Sequence, residues 1–146
     1  MSKCILLFGL ILLGAWGCAA SNQVALEFRL AAEESSPGLE EMVFEPTGEH
    51  FYLHHEVLLN QADVDSAAAV WREERWEVEL FFTPEGAQKF AELTEQNLGR
   101  RCGMVLDGKL LSAPRIMAPI KSGRALITSD FTEAEARRIA QGMTQP

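Results

Sequence analysis

Little in this 146-residue sequence could staple the chain to itself. Of its three cysteines, Cys4 and Cys18 precede the folded part, which leaves Cys102 alone and excludes an intramolecular disulfide framework. Cys102 reads as a small buried hydrophobe, since no His or Lys neighbours it in sequence. Positive charge is also scarce: 13 Lys and Arg stand against 21 Asp and Glu, for a net charge of −8. A nucleic-acid surface needs a basic face, and Arg100-Arg101 and Arg137-Arg138 are isolated pairs among acids. The one long apolar run, Ile5 to Leu13, is too short to span a bilayer as a stable helix. Zinc-binding CxxC and HExxH patterns, the G-x-S-x-G elbow and a P-loop ending in Lys-Ser/Thr are missing. Without an assembled acid, base or nucleophile set the chain reads as non-enzymatic, with no catalytic residue, metal or cofactor.

What is present at the N-terminus is an export segment. Lys3 supplies a positive start, the apolar run follows, and Ala15-Trp16-Gly17-Cys18 closes it. The pattern favours a lipoprotein signal over residues 1–17, with Cys18 receiving the lipid; ordinary cleavage after Ala20 is the alternative. Residues 18–23 then form a short tether and 24–146 a single domain. The product is expected on the periplasmic side of a bacterial envelope, held to the membrane by a lipid anchor only. Ala19, which is not an Asp, leans the expectation toward the outer membrane.

Along the domain, Val24, Leu26, Phe28 and Leu30 alternate with Ala25, Glu27 and Arg29, the mark of a half-buried strand. Glu33 to Glu41 is an acidic loop. Met42-Val43-Phe44 and Phe51-Tyr52-Leu53 flank a turn at Pro46 to Gly48. Val64 to Arg72 and Trp76 to Phe82 are expected to pair across Glu73-Glu74. Thr83-Pro84 opens a helix with Ala87, Phe90, Ala91, Thr94 and Leu98 on its inner stripe, stopped by Gly99. His50, His54, His55 and Glu56 are the one metal-like cluster. Strand geometry puts His54 and His55 on opposite faces and His50 roughly 13 Å from His54, which favours solvated histidines.

The stretch from Val105 to Ala136 carries the most information. Asp107-Gly108 supplies the two positive φ angles of a type I′ turn between Met104-Val105-Leu106 and Lys109-Leu110-Leu111. Pro114 ends the second strand or confines it to an edge. Pro119 and Ser122-Gly123 punctuate a loop, and Ala125 to Thr128 is a buried strand. Thr132 and Glu135 have capping-box spacing, followed by Ala136, Ile139, Ala140 and Met143 at helical intervals. An echo links the two helix starts: Phe82-Thr83-Pro84-Glu85-Gly86-Ala87 parallels Phe131-Thr132-Glu133-Ala134-Glu135-Ala136.

This run resembles the periplasmic head region of SecD, a membrane subunit of the bacterial export machinery. The matching positions are Asp107, Gly108, Ser112, Ala113, Pro114, Ile120, Gly123, Ile127, Thr128, Phe131, Thr132 and Ala136; Ser129 stands where the family often has Gly. With the upstream segment TPEGAQKFAELTEQNLG the resemblance covers roughly residues 57–143, and each matched residue has a structural role. It implies an α+β fold, a mainly antiparallel sheet with two helices packed on one face. It also implies binding of extended polypeptide or of an envelope protein, with translocon association and assistance to export as expectations. Strand addition at an exposed edge would serve such binding, with the segments around Ser112–Pro119 and Val24–Leu30 the expected edges and Leu26 and Leu110 the residues expected to matter for it. The alternative is an envelope lipoprotein with one fixed partner and no export role, burying an apolar patch around Trp71 and Phe81.

Overall fold

The computed structural model describes residues 24–144; the signal segment, Cys18 and the tether at 18–23 lie outside the described residues. Among the described residues, nine strands and two helices follow the expected order. They are β1 (Leu26–Ala32), β2 (Glu40–Phe44), β3 (Glu49–Leu53), β4 (Leu59–Asn60), β5 (Val64–Arg72), β6 (Arg75–Phe82), α1 (Pro84–Gln96), β7 (Arg101–Leu106), β8 (Lys109–Ser112), β9 (Arg124–Phe131) and α2 (Glu133–Met143). A single 3₁₀ turn, Gln61–Asp63, joins β4 to β5. Every strand pairing is antiparallel.

The antiparallel α+β class is as the sequence implies, with the strands divided between two sheets. One runs β2-β3-β1-β7-β8, with β4 also paired to β1; the other runs β5-β6-β9. The larger sheet curls, so that β2 approaches β8 and Glu45 pairs with Lys109 across the gap. Its concave side encloses a small core of Ala31, Phe51, Leu53, Val105, Leu110 and Ala113. Its other side meets the main core, where the two helices and the second sheet contribute Phe90, Leu93, Ile139, Met143, Val78 and Leu80. Three rings join these layers: Phe82 of β6 and Phe90 of α1 lie 4.9 Å apart, and Phe28 of β1 lies 5.9 and 5.7 Å from them. Aromatic contacts of this kind add to area burial, so α1 holds the two sheets together.

Three expectations need correction. β1 is not an edge: it pairs with β7 along its length and with β3 and β4 on the other side, and Leu26 is buried. Both of its faces meet a core, which is why Arg29 is buried as well, its guanidinium donating to the His54 carbonyl and to Glu40 at 2.6 and 2.7 Å. Leu98 does not join the inner stripe of α1, because the helix ends at Gln96 and Leu98 lies beyond it, exposed; Leu93 takes the inner position. Trp71 and Phe81 do not share a patch. Trp71 pairs with Trp76, five residues from Phe81 on β6, and an odd spacing puts the two on opposite faces.

Candidate polypeptide-binding surface

Between β8 and β9 the chain makes a long excursion, pinned at both ends. At its start, the Pro114 carbonyl accepts from the Cys102 N–H at 2.9 Å, and Ile116 exchanges backbone bonds of 2.8 Å with Arg100 and Gly99. Pro114 donates nothing, so this is a ragged continuation of the β7 edge rather than a strand. Ile116 is buried. Farther on, the Ile120 N–H donates to the Thr94 hydroxyl at 2.9 Å, and that buried hydroxyl donates in turn to α1 carbonyls. Gly123 closes the loop at φ +69°, where its carbonyl accepts from the Phe82 N–H. A side chain there would be strained in the left-handed region.

Between these pins Met117 stands out at 80 % exposure, with Ile120 at 38 %. Beneath them opens a cleft of about 370 Å³, floored by Phe28, Phe90, Cys102 and Met104 and walled by Ile116 and Leu126. Its lining is apolar, and methionine and leucine side chains can repack around different occupants. Burial pushes the Cys102 thiol up to about 12, so it lines the floor as a protonated, unreactive group. A larger groove of about 500 Å³ lies near the β7–β8 hairpin and α2, with Glu45, Lys109, Asp130, Glu135 and Arg138 along it. Charges of both signs make it a poorer receptacle for apolar side chains.

The family-motif residues act as scaffolding around this site. Asp107 and Gly108 adopt φ of +50° and +78° in the hairpin. Asp107 also clamps the start of the domain, its carboxylate and its N–H both bonding Ala25 at 2.8 Å. Ser112 is half-buried at the end of β8, Ala113 is buried in the small core, and Pro114 begins the excursion. Phe131 packs against the main core and Thr132 caps α2. Leu110 lies on β8, last in its sheet, with its side chain buried. Trp71 is 60 % exposed beside Trp76, and Phe81 is half-buried opposite Ser66 and Arg124. His50 meets Glu41 at 2.7 Å and His54 meets Arg100 at 3.1 Å. The exposed Met117 had no periodic signal to mark it: Met117-Ala118-Pro119-Ile120 is an apolar run in a loop, and such a run assigns no face.

A family model described as the P1 head subdomain of SecDF matches residues 39–144, the whole of the β2–α2 framework. The chain belongs to this family. Among curated relatives, the SecDF translocase subunit of Thermus thermophilus is 46 % identical over 84 residues, 57 % of this chain and 11 % of that protein. The SecD translocase subunit of Acidaminococcus fermentans is 43 % identical over 76 residues, 52 % of this chain and 18 % of that protein. The chain therefore spans less than a fifth of either relative's length. A solved structure of SecDF, described as a membrane component that enhances protein export, superposes with a TM-score of 0.67 at 32 % identity, covering 84 % of this chain and 63 % of that one. A super-membrane-facing form of SecDF gives 0.66 at 33 % identity, over 84 % and 19 %. The P1 head fold is thus shared. Among the described residues no helix is long and apolar enough to cross a membrane.

Proposed function

We propose that this SecDF P1 head is an exported, lipid-anchored, non-enzymatic module that binds extended polypeptide at the periplasmic side of the envelope and assists export. The observation that carries this reading is the open apolar cleft under the Met117–Ile120 arm. Its walls offer side-chain pockets to an extended segment; β8, with Leu110, lies at the end of its sheet along the charged groove and is a separate place where backbone pairing could add to the grip. The anchor assigned to this reading is lipid on Cys18, in the outer membrane, and the partner is a polypeptide in transit through the envelope; association with the translocon itself would require the same anchor in the inner membrane. Apolar grooves of adaptable side chains suit many sequences at modest affinity, as an export aid requires.

A photo-crosslinking amino acid placed at Met117 in the full chain, in living cells, tests this reading. Many different exported polypeptides at that position would support it. Bare labelling with no polypeptide adducts would sink it. The anchor is tested separately by fatty-acid incorporation, which should vanish in Cys18→Ala. A second reading, one fixed folded partner without an export role, is favoured only by the exposure of Trp71 on β5. A crosslinker there that captures a single protein in one-to-one amount, with Met117 silent, would replace the first reading by the second.

A further inference from the structure

Beside the cleft lies a second, charged hollow. Arg100, Arg101 and Arg115 surround about 220 Å³ above Ala31, Ala32 and Glu33. Three guanidiniums and one carboxylate leave a local formal charge of +2 in a chain of −8. Both Arg101 and Arg115 donate to the same oxygen of Glu33, at 2.5 and 2.8 Å. Neither guanidinium depends on Glu33 for its aim. Arg101 also donates to the Ala113 carbonyl at 2.8 Å and lies over the Phe51 ring at 5.4 Å, while Arg115 donates to the Gly99 carbonyl at 2.6 Å. The backbone thus holds two planar donors around one point, the arrangement suited to a carboxylate. Arg115 lines the apolar cleft as well as the hollow, so the two are contiguous.

We propose that Arg101 and Arg115 form a carboxylate site at the mouth of the cleft, occupied in this structure by the chain's own Glu33 and taken over by an acidic residue of the bound polypeptide. The inference rests on the cleft reading and gives it a substrate class: apolar segments flanked by Asp or Glu. Glu33 suits the part of a displaceable stand-in. It is the first residue after β1, it is exposed, and exposed ion pairs exchange at small cost. The two guanidiniums, Arg101 foremost, hold its carboxyl below the ordinary value, as they would any carboxylate seated there. A membrane surface is the poorer candidate. The chain enters the domain where Leu26 meets Leu106, whereas the arginines gather where Ala31 meets Arg101, roughly 17 Å away at strand rise.

Two fluorescent peptides, alike in a short apolar run and differing in one flanking Glu or Gln, are titrated against the full-length protein in detergent. The Glu peptide should bind on the order of tenfold tighter at low salt, a difference shrinking as salt rises. The double variant Arg101→Gln, Arg115→Gln should bind both peptides alike. Glu33→Gln, a surface change that spares the fold, should bind the Glu peptide a few-fold tighter; a purely structural role for the arginines predicts no such gain. Equal binding of both peptides by native protein and Glu33→Gln overturns the inference and leaves the cleft reading intact. If neither peptide binds, arginine side-chain NMR in sodium acetate separates the two ideas: shifts at Arg101 and Arg115 support the carboxylate site while the cleft reading falls, and unmoved signals end both. Binding to anionic-lipid vesicles that is lost in the double variant overturns the peptide assignment.

Discussion

α1 and α2 start from the same residues, Phe-Thr, and part ways at the third helical position. In α2 the Thr132 N–H is satisfied by the Glu135 carboxylate at 2.8 Å, closing a capping box within the helix itself. The equivalent donor of α1, the Thr83 N–H, goes instead to the Asp63 carbonyl at 2.9 Å. That carbonyl occupies the space where a side chain at position 86 would stand, so Gly86 replaces the glutamate, and its added Cβ would overlap the Asp63 oxygen. Lys89 then holds the Asp63 carboxylate at 2.6 Å. One local signal therefore yields a self-contained helix start and a start welded to a distant turn. The welded helix is the one that lines the cleft floor, through Phe90, and links the two sheets.

The comparison can be broken most severely at Phe90. Phe90→Ala removes the ring joining α1 to β1 and β6 and should cost about 3–5 kcal/mol in urea unfolding, against roughly 0.5–1.5 kcal/mol for Ile139→Val on α2. Gly86→Ala comes next. Helix propensity alone favours alanine by about 1 kcal/mol, yet the overlap with Asp63 should make this change destabilising by roughly 1–3 kcal/mol. A gain in stability would show that α1 is not held by that turn. Thr132→Ala should cost about 1 kcal/mol, since it removes the hydroxyl that accepts from the Glu135 N–H while the backbone N–H at 132 keeps its bond to the Glu135 carboxylate.

Smaller effects sharpen the contrast between the two hairpins. Glu73 and Glu74 adopt φ of +48° and +60° in the β5–β6 turn, where Asp107-Gly108 meets the same demand with glycine. Glu74→Gly should raise the melting temperature, by an amount worth under ~1 kcal/mol. The smallest effect is on acid sensitivity. Bonds from the Thr132 backbone and hydroxyl, in that order, lower the Glu135 carboxyl from its ordinary 4.5. A depressed folded value means the contribution is present above the ordinary value and fades as pH falls through the folded one. Amide protection at the start of α2, taken relative to the intrinsic exchange rate at each pH, should therefore fall on acidification, while that at the start of α1, with Gly86 in that place, should not follow it.

Both helices, the paired strands, the Asp107-Gly108 turn and the two threonine caps were legible in the residues, because each rests on interactions a few positions apart. Leu98 misled because a helix stripe gives a direction without giving the stop: the last helical residue is Gln96. Leu26 misled because alternation marks a half-buried strand, whereas β1 has a core on either face and a neighbour on either side. The cleft was hidden for a related reason. Phe28, Phe90 and Met104 belong to three elements far apart in sequence, and no periodicity within one segment reports that they converge.

The sequence by itself determined the local vocabulary: which segments are strands and helices, where they turn, how each helix is capped, and through its motif the P1 head family. Tertiary structure alone decided that the strands divide into two sheets, that β1 lies inside, that Gly86 gives way to a carbonyl, and that Arg101 and Arg115 meet at Glu33 beside an apolar cleft. Hydrogen bonds and side-chain spacing within a segment are fixed by nearest neighbours along the chain. Which faces close on one another is fixed by burial summed over the whole molecule, a quantity no single segment carries.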